Sequence, residues 1–286
     1  MNKYIVLGGA GAMGQVIVRD LAEFSPASDQ VVIADFSEEN ARKLKDKIGN
    51  ARVSAIFADL KDTQQLAAIL KGATCVINST PYAYNLEVME AALTAGCHYM
   101  DLGGLFHMTK KQLLLHERFK EKNLLAVLGM GAAPGMTNVM AAEAAQDLDT
   151  VESIDISVGC VDFNAIDHPL PAPYALDTIL DEYTAEPMVF DGEYRAEPPM
   201  SGKLDIDFPK PVGRVSAILT LHSEVLTLPT SYKDKGIKRV TFRLGLPSDL
   251  HERFHLLCTI GFGSKEAVQL DNGSSFVPRF ALAKLL

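Results

Sequence analysis

A glycine-rich turn near the start of the chain restricts the possible folds more than any other feature. Gly9, Gly11 and Gly14 form a G-x-G-x-x-G spacing between an apolar run, KYIVLG, and an amphipathic segment, MGQVIVRDLAEF. A second apolar run, QVVIADF, ends in Asp35, about 20 residues after the last of these glycines. Glycines in this context allow backbone amides to approach a pyrophosphate, and the acid accepts hydrogen bonds from the adenosine ribose. The pattern predicts a dinucleotide-binding site.

The first half of the chain alternates strand and helix patterns. Further strand candidates are RVSAIFADL, TCVINST, CHYMDLGG and LLAVLGMG, and helical patterns lie at 62–71, 85–95 and 107–122. The residue before the second helix, Ser37, is a predicted N-cap. Repeated βα units build a parallel sheet with helices on both faces. We predict an α/β fold, a Rossmann-type doubly wound parallel sheet, over residues 1–133.

The carboxyl ends of these strands supply the candidate cofactor site. The acid that ends the second strand repels a 2′-phosphate, and the next two residues, Phe36 and Ser37, offer no arginine to attract one. We therefore expect NAD as the cofactor in preference to NADP. The residues predicted to contact it are Gly9, Gly11, Ala12, Met13, Gly14, Asp35, Phe36, Asp59, Asn78, Ser79, Thr80 and Pro81.

The second half, residues 134–286, predicts a separate α+β domain for substrate binding and dimerisation. In SIDISVGCV, apolar residues alternate with small or polar ones, and VSAILTL repeats this alternation. Alternation of this kind is typical of a half-buried strand. A proline-rich loop, DHPLPAPY, and one helix around 175–184 lie between the two strands. We predict a mixed or antiparallel sheet.

Composition and charge exclude several classes of partner. The net charge of −9 provides no basic surface for nucleic acid or an anionic membrane. No run of 18 apolar residues is present, and the N-terminus lacks a leader pattern, so we expect a cytoplasmic protein. The four cysteines are far apart and match no zinc spacing, so we expect buried, reduced thiols and no metal site.

Several loop sequences resemble the saccharopine dehydrogenase family, and within it the lysine 6-dehydrogenase branch. They are NSTPYAYN at 78–85, DLGGLFHMT at 101–109, GMGAAPGMTN at 129–138 and LHSEVLTLP at 221–229. The resemblance implies a dehydrogenase that oxidises an amine carbon of lysine, saccharopine or a related amino acid by hydride transfer to NAD(P).

Amine oxidation requires a general base, because a protonated nitrogen cannot expel a hydride. His107 follows the glycine pair of DLGG, and an imidazole titrates in the required range. Asp101 is a candidate to orient that base, and Tyr84 is a candidate to hydrogen-bond the substrate. A structural role remains the alternative for each. The predicted substrate-binding residues are Tyr82, Gly103, Gly104, Pro134 and the pair His222 and Glu224, which we place on a strand.

The remaining histidines are less informative. His168, beside prolines, is a weaker candidate in a predicted lid loop. We assign structural roles to the others, which are His98, His116, His251 and His255.

Other functions remain open at this point. One is a non-catalytic dinucleotide-binding sensor or interaction protein, and another is a carboxynorspermidine-type synthase that reduces a condensed imine. A short-chain reductase or sugar epimerase would need a Tyr-x-x-x-Lys pair, and no tyrosine here has a lysine four residues later.

The end of the chain departs from the family pattern. Members of the family continue beyond a segment like SSFVPRFALAKLL, whereas this sequence stops at Leu286. Either the substrate domain is shorter than in the family, or the chain is a truncated form whose sheet has an unpaired edge. An exposed edge and an apolar end favour pairing with a second copy. We expect a homodimer formed through the second domain.

Overall fold

The chain forms two compact units, Met1–Met140 and Ala141–Leu286. The structure is a computed structural model that describes residues 1–163, 170–172 and 174–286. The division lies within α7 (Met136–Ala144), and the predicted domain boundary after residue 133 falls in the loop before this helix.

Unit 1 is a doubly wound parallel sheet, as predicted. Its six strands run in the order β3-β2-β1-β4-β5-β6, and all of their pairings are parallel. The strands are β1 (Lys3–Leu7), β2 (Gln30–Asp35), β3 (Val53–Phe57), β4 (Cys75–Asn78), β5 (His98–Asp101) and β6 (Ala126–Val127). The helices before α7 are α1 (Ala12–Phe24), α2 (Glu38–Ile48), α3 (Thr63–Leu70), α4 (Asn85–Ala95), α5 (Phe106–Leu113) and α6 (His116–Glu121).

The strands of unit 1 are apolar on both faces because helices cover both sides of the sheet. In β1, Ile5 and Leu7 pack in one core cluster, and Val6 between them packs in the other. The predicted N-cap is present, since the hydroxyl of Ser37 accepts a hydrogen bond from the amide of Asn40 at the start of α2.

One predicted helix differs from the structure. The segment 107–122 forms two helices rather than one. The amide of Leu114 bonds the carbonyl of Lys111, and the amide of Leu115 bonds that of Gln112. These i to i−3 bonds tighten the chain at this point, which ends the first helix.

Unit 2 contains a mixed sheet, as predicted. Its central strand, β12, pairs in parallel with β7 and antiparallel with β11 and β8. The strands are β7 (Ser153–Gly159), β8 (Met188–Asp191), β9 (Tyr194–Ala196), β10 (Leu204–Asp207), β11 (Arg214–Leu219), β12 (Arg239–Leu246), β13 (Val268–Gln269) and β14 (Ser275–Phe276). The helices are α8 (Leu176–Thr184), α9 (Glu224–Ser231), α10 (Ser248–Thr259) and α11 (Pro278–Leu285).

The core of unit 2 lies between one face of this sheet and three helices. Ile218 and Leu246 of the sheet pack with Tyr183 of α8, Phe254 of α10 and Leu282 of α11. Within the described residues, no helix combines the length and apolarity needed to span a bilayer.

The cysteines of unit 1 are buried thiols, as predicted. Burial raises the pKa of Cys75 to about 12 and that of Cys97 to about 11, so both stay protonated near neutral pH. In unit 2, Cys160 and Cys258 are only partly buried.

Candidate functional site

The glycine turn connects β1 to α1, at the carboxyl edge of the unit 1 sheet. A Cβ atom on Gly14 would lie 2.1 Å from the carbonyl oxygen of Gly8, so only glycine allows the helix to start this close to the strand. No side chain among the described residues caps the first turn of α1, and Gly11, Ala12 and Met13 are exposed there. Uncapped amides at a helix N-terminus form a site for a phosphate group.

Asp35 lies beside this turn at the end of β2. Its carboxylate accepts hydrogen bonds from the amide of Ala10 at 3.0 Å and from the amide of Ser37 at 2.9 Å. One bond to each oxygen holds the carboxylate against the glycine turn, and each oxygen keeps a lone pair for a further donor. This is the placement needed for an acid that receives ribose hydroxyls.

An exposed aromatic pair continues this edge. Phe36 is 72% exposed, and its ring centroid is 5.7 Å from that of Phe57 at the end of β3. We predicted Phe36 from the sequence but not Phe57. An aromatic residue that ends a strand next to the acid-bearing strand is the signal that would have identified it. Asp59, further along the same loop, accepts a bond from the amide of Lys61.

These residues fit a dinucleotide. The α1 amides would hold its pyrophosphate, Asp35 its adenosine ribose, and Phe36 with Phe57 would offer an apolar surface to its adenine. A bound nicotinamide would supply or accept a hydride.

The residues after β4 are mostly occupied by internal bonds. Asn78 is buried and bonds Asn85 at 2.9 Å, and its oxygen accepts from the hydroxyl of Thr80 at 2.6 Å. The hydroxyl of Ser79 donates to the carbonyl of Leu7. These bonds hold the shape of the loop, and the predicted cofactor contact of Asn78 stays a prediction. Pro81 is exposed beside it.

Asp101 is a buried hub at the end of β5, with 1% of its surface exposed. One oxygen accepts from the amides of Gly103 and Gly129, at 2.9 and 2.8 Å. The other accepts from the side chains of Tyr99, Gln112 and Asn85, at 2.9, 2.6 and 3.3 Å respectively. Five donors saturate the carboxylate. Through these bonds Asp101 ties the loops after β5 and β6 together, and its predicted catalytic role stays a prediction.

The next two glycines serve packing. A Cβ atom on Gly103 would lie 2.7 Å from the ring of Pro134. A Cβ atom on Gly104 would lie 2.8 Å from the side-chain nitrogen of Asn85. Gly104 is also buried. Neighbouring side chains cover Gly104, and its predicted substrate contact stays a prediction. The ring of Pro134 fills the space beside Gly103.

The remaining predicted residues of unit 1 are accessible. His107 is exposed in the first turn of α5, and its ring meets that of Phe106 edge-on at 5.5 Å. Tyr82 and Tyr84 are half-buried in a short 3-10 helix before α4. All three stay predictions, since accessibility alone assigns no chemistry to them.

Unit 2 has its own buried polar cluster, which we call the His222 cluster: His222, Glu182, Glu224 and Tyr174. The Nδ1 atom of His222 is 2.9 Å from a carboxylate oxygen of Glu224, and Nε2 is 3.4 Å from one of Glu182. Each of these three side chains is less than a tenth exposed. Tyr174 donates its hydroxyl hydrogen to Glu182.

The geometry implies a protonated imidazole. Both ring nitrogens face carboxylate oxygens, and an imidazole donates from both nitrogens only in its charged form. Burial by itself lowers the pKa of His222, but the hydrogen bonds and charges of Glu182 and Glu224 outweigh it and raise the pKa to about 9. The ring also stacks on Phe242, with centroids 3.6 Å apart. The imidazolium is thus held as a fixed charge.

The local structure around this cluster differs from the prediction. We placed His222 and Glu224 on a strand, but β11 ends at Leu219, His222 lies in a loop and Glu224 begins α9. The alternation of apolar residues predicts that the strand continues through this segment. The chain instead turns and buries both side chains. His168 lies outside the described residues.

Glu182 was missed by the sequence reasoning. It lies three residues after Ile179 on a predicted helix, so it shares the apolar face that buries Ile179 and Leu180. An acid on the apolar face of a helix is the signal that would have identified it.

The amino-acid sequence is similar to those of known proteins. Residues 5–127 match the family described as "Saccharopine dehydrogenase NADP binding domain". A carboxynorspermidine synthase from Vibrio cholerae is 26% identical, over 97% of this chain and 71% of its own length. A carboxyaminopropylagmatine dehydrogenase from Synechocystis is also 26% identical, over 96% of this chain and 70% of its own length.

Solved structures share the fold. Saccharopine dehydrogenase (L-Glu forming) from Saccharomyces cerevisiae aligns with a TM-score of 0.71 at 17% identity, over 94% of this chain. The homospermidine synthase of Legionella pneumophila, solved in complex with NAD, aligns with a TM-score of 0.65 at 13% identity, over 91% of this chain. This chain spans only 60% of the yeast protein and 68% of the Legionella protein.

Proposed function

We propose that the chain is an oxidoreductase of the saccharopine dehydrogenase family that acts on a cationic amine, since residues 5–127 match the NADP-binding domain of that family. Unit 1 binds the dinucleotide and unit 2 binds the amine. The bond that changes is a carbon–nitrogen bond, oxidised to an imine or formed by reduction of one.

The His222 cluster carries this proposal. Within this cluster of described residues, two carboxylates and one imidazolium together have one net negative charge, and each of these side chains is less than a tenth exposed. A buried charge is costly unless a partner compensates it. An ammonium group of the substrate is a partner of the right sign, and Tyr174 with Phe242 supplies aromatic surface beside it.

Among the substrates considered, polyamines fit better than lysine. The relatives named above include a carboxynorspermidine synthase and a homospermidine synthase, whose names specify polyamines. A polyamine presents several ammonium groups, and the negative cluster can hold one of them. Oxidation of lysine or saccharopine remains the alternative within the same chemistry.

In unit 1, His107 is the proposed general base. Its imidazole would take the proton from the reacting nitrogen, and the hydroxyl of Tyr84 would hydrogen-bond the substrate. His222 does not suit the role of base near neutral pH, since both of its nitrogens already carry protons.

NAD is the proposed cofactor in preference to NADP. The carboxylate of Asp35, fixed beside the glycine turn, would accept ribose hydroxyls and repel a 2′-phosphate. We also propose a cytoplasmic homodimer that pairs through unit 2.

Turnover assays test the proposal. Purified protein is mixed with lysine, saccharopine or carboxynorspermidine and NAD or NADP, and reduced cofactor is measured by absorbance at several pH values. We expect amine-dependent reduction, lost by a hundredfold or more in His107→Gln with cofactor affinity unchanged. His116→Gln, which changes an exposed histidine elsewhere in unit 1, is the matched control.

A non-catalytic sensor is the competing function. Saturable NAD binding with no turnover of any of these amines would favour it and overturn the proposal.

A further inference from the structure

Arg279, on the C-terminal helix α11, is the most completely buried basic side chain that the described residues contain, at 1% exposure. Its Nε and Nη2 atoms donate to the carbonyl of Gly263 at 3.0 and 2.7 Å. Its Nη1 atom donates to the carboxylate of Asp181 at 2.6 Å and to the carbonyl of Asp177 at 3.2 Å. The guanidinium therefore connects α11 and the Gly263 turn to α8.

Asp181 receives a second cation, which contacts both of its carboxylate oxygens. The ammonium group of Lys265 lies 2.8 Å from the same carboxylate. Asp181 is thus compensated twice over by groups outside α8, which gives it a single orientation. A buried arginine removed from such a pair would leave the acid partly uncompensated.

The neighbour of Asp181 on α8 is Glu182, whose carboxylate reaches His222. Side chains of consecutive helical residues point about 100° apart around the helix axis. When Asp181 is held in place, the direction in which Glu182 leaves the helix is therefore also fixed. Arg279 holds one side of this turn, and Tyr183, packed against Phe254, holds another.

The contact from Glu182 to His222 is sensitive to this placement. At 3.4 Å it is near the limit of a hydrogen bond, whereas Glu224 is only 2.9 Å from the same ring. A shift of α8 by a few tenths of an ångström is enough to lose the first contact and keep the second.

We infer that Arg279 is a positioning residue for the His222 cluster: it fixes the last turn of α8 and so holds Glu182 on His222. The inference rests on the proposed function only where it concerns amine binding. No contact of Arg279 with substrate or cofactor is involved.

The test compares three variants in the full chain. Arg279→Met removes the charge, Arg279→Lys keeps the charge but loses the paired bonds to Gly263, and Arg253→Met is the control. Arg253 is an exposed arginine of α10 that pairs with Asp249 four residues before it. Two quantities are measured: the pKa of His222 by NMR, assigned with His222→Gln, and the KM for the amine.

If Glu182 moves away from His222, one of the two carboxylates that raise the pKa of His222 to about 9 no longer contacts the ring. In Arg279→Met we expect this pKa to fall by roughly one unit and the KM for the amine to rise about tenfold. The dissociation constant for NAD, whose site lies in unit 1, should stay within about twofold of wild type. Arg279→Lys should be intermediate, and Arg253→Met should match wild type.

A folded Arg279→Met protein with the wild-type pKa of His222 would overturn the inference, whatever its thermal stability. If Arg279→Met does not fold, Arg279→Lys decides the question by the same measurement, and a wild-type pKa there again overturns it. If wild type turns over no amine, the proposed function fails, but the pKa of His222 still tests the positioning role.

Discussion

Among the described residues, a buried hub of polar side chains in unit 1 can be compared with one in unit 2, and the two differ in the groups that meet their acids. In unit 1, the carboxylate of Asp101 accepts from five neutral donors. In unit 2, the imidazole of His222 faces two acids, Glu182 and Glu224. The first hub spreads one charge over donors from β5, α4, α5 and the loops after β5 and β6. The second keeps an acid in excess of its base.

The comparison shows how to separate scaffold from binding site among buried polar groups. A hub whose hydrogen-bonding capacity is used up holds structure in place and has nothing left for a ligand. Both hubs carry one net negative charge; that of Asp101 is spread over five neutral donors, whereas we propose that a cationic ligand offsets the excess acid of the His222 cluster. By this criterion Asp101 is structural, and the His222 cluster is the candidate site.

The largest expected effect is on the stability of unit 1 when Asp101 is changed. In Asp101→Asn, one oxygen becomes a donor and faces donors on Tyr99, Gln112 or the glycine amides. At least two buried groups lose their partner, so we expect a loss of about 3–5 kcal/mol in the free energy of unfolding. Urea unfolding measures it.

Asp62→Asn is the control for this change. Asp62 is an exposed N-cap of α3, where asparagine works almost equally well, so we expect a change below about 0.5 kcal/mol. If Asp101→Asn kept wild-type stability but lost amine turnover, the structural role of Asp101 would be contradicted. The catalytic role predicted for Asp101 from the sequence would then be supported.

The next effect is a pH dependence that only the second hub should show. The pKa of His222 is about 9 in the folded protein and near 6.5 in the unfolded chain, so the folded state binds the extra proton between these values. Its contribution to stability is complete below about pH 6.5 and is lost as the pH rises through 9, by up to about 3 kcal/mol.

Urea unfolding at pH 6 and pH 9.5 measures this contribution, with His222→Gln as the variant that lacks it. The exposed His116→Gln protein should follow wild type at both values. Equal pH dependence of the free energy of unfolding in wild type and His222→Gln would show that folding does not raise the pKa of His222.

A smaller effect is expected when the charge of the second hub is cancelled. In Glu224→Gln the cluster loses its excess acid, so an ammonium group no longer meets a net negative charge. We expect binding of the amine to weaken by about a hundredfold, while NAD binding stays unchanged. Calorimetric titration with the amine and with NAD separates the two. Glu193→Gln, which changes an exposed acid between β8 and β9, should bind the amine like wild type.

The smallest effect concerns cofactor choice in unit 1. Asp35→Ala removes the charge that repels a 2′-phosphate, so we expect the preference for NAD over NADP to fall by about tenfold. Fluorescence titration with both reduced cofactors measures it. If wild type already binds NADP as tightly as NAD, then Asp35 does not select the cofactor.

Most of unit 1 could be predicted because its signals are local. Glycine spacing, the acid that ends β2 and alternating apolar runs depend on residues close together in the chain, and the Gly14 contact shows that the turn tolerates no side chain. The split of the predicted 107–122 helix at Leu114 lay beyond such patterns, since it rests on two tightened hydrogen bonds in an otherwise helical sequence.

The roles of single polar residues could not be obtained in the same way. In the sequence, Asp101 and Glu224 are both acids near apolar segments. The predicted strand includes Glu224 together with the neighbouring leucines, so the pattern does not distinguish them. What distinguishes them is which groups meet them in space: five neutral donors in one case, an imidazole and a second acid in the other. Glu182 and His222, 40 residues apart, meet only because α8 packs against the sheet of unit 2. Local chemistry set the fold of unit 1, whereas long-range packing decided which buried charges meet, because burial and pairing are properties of neighbours that the chain brings together only when it folds.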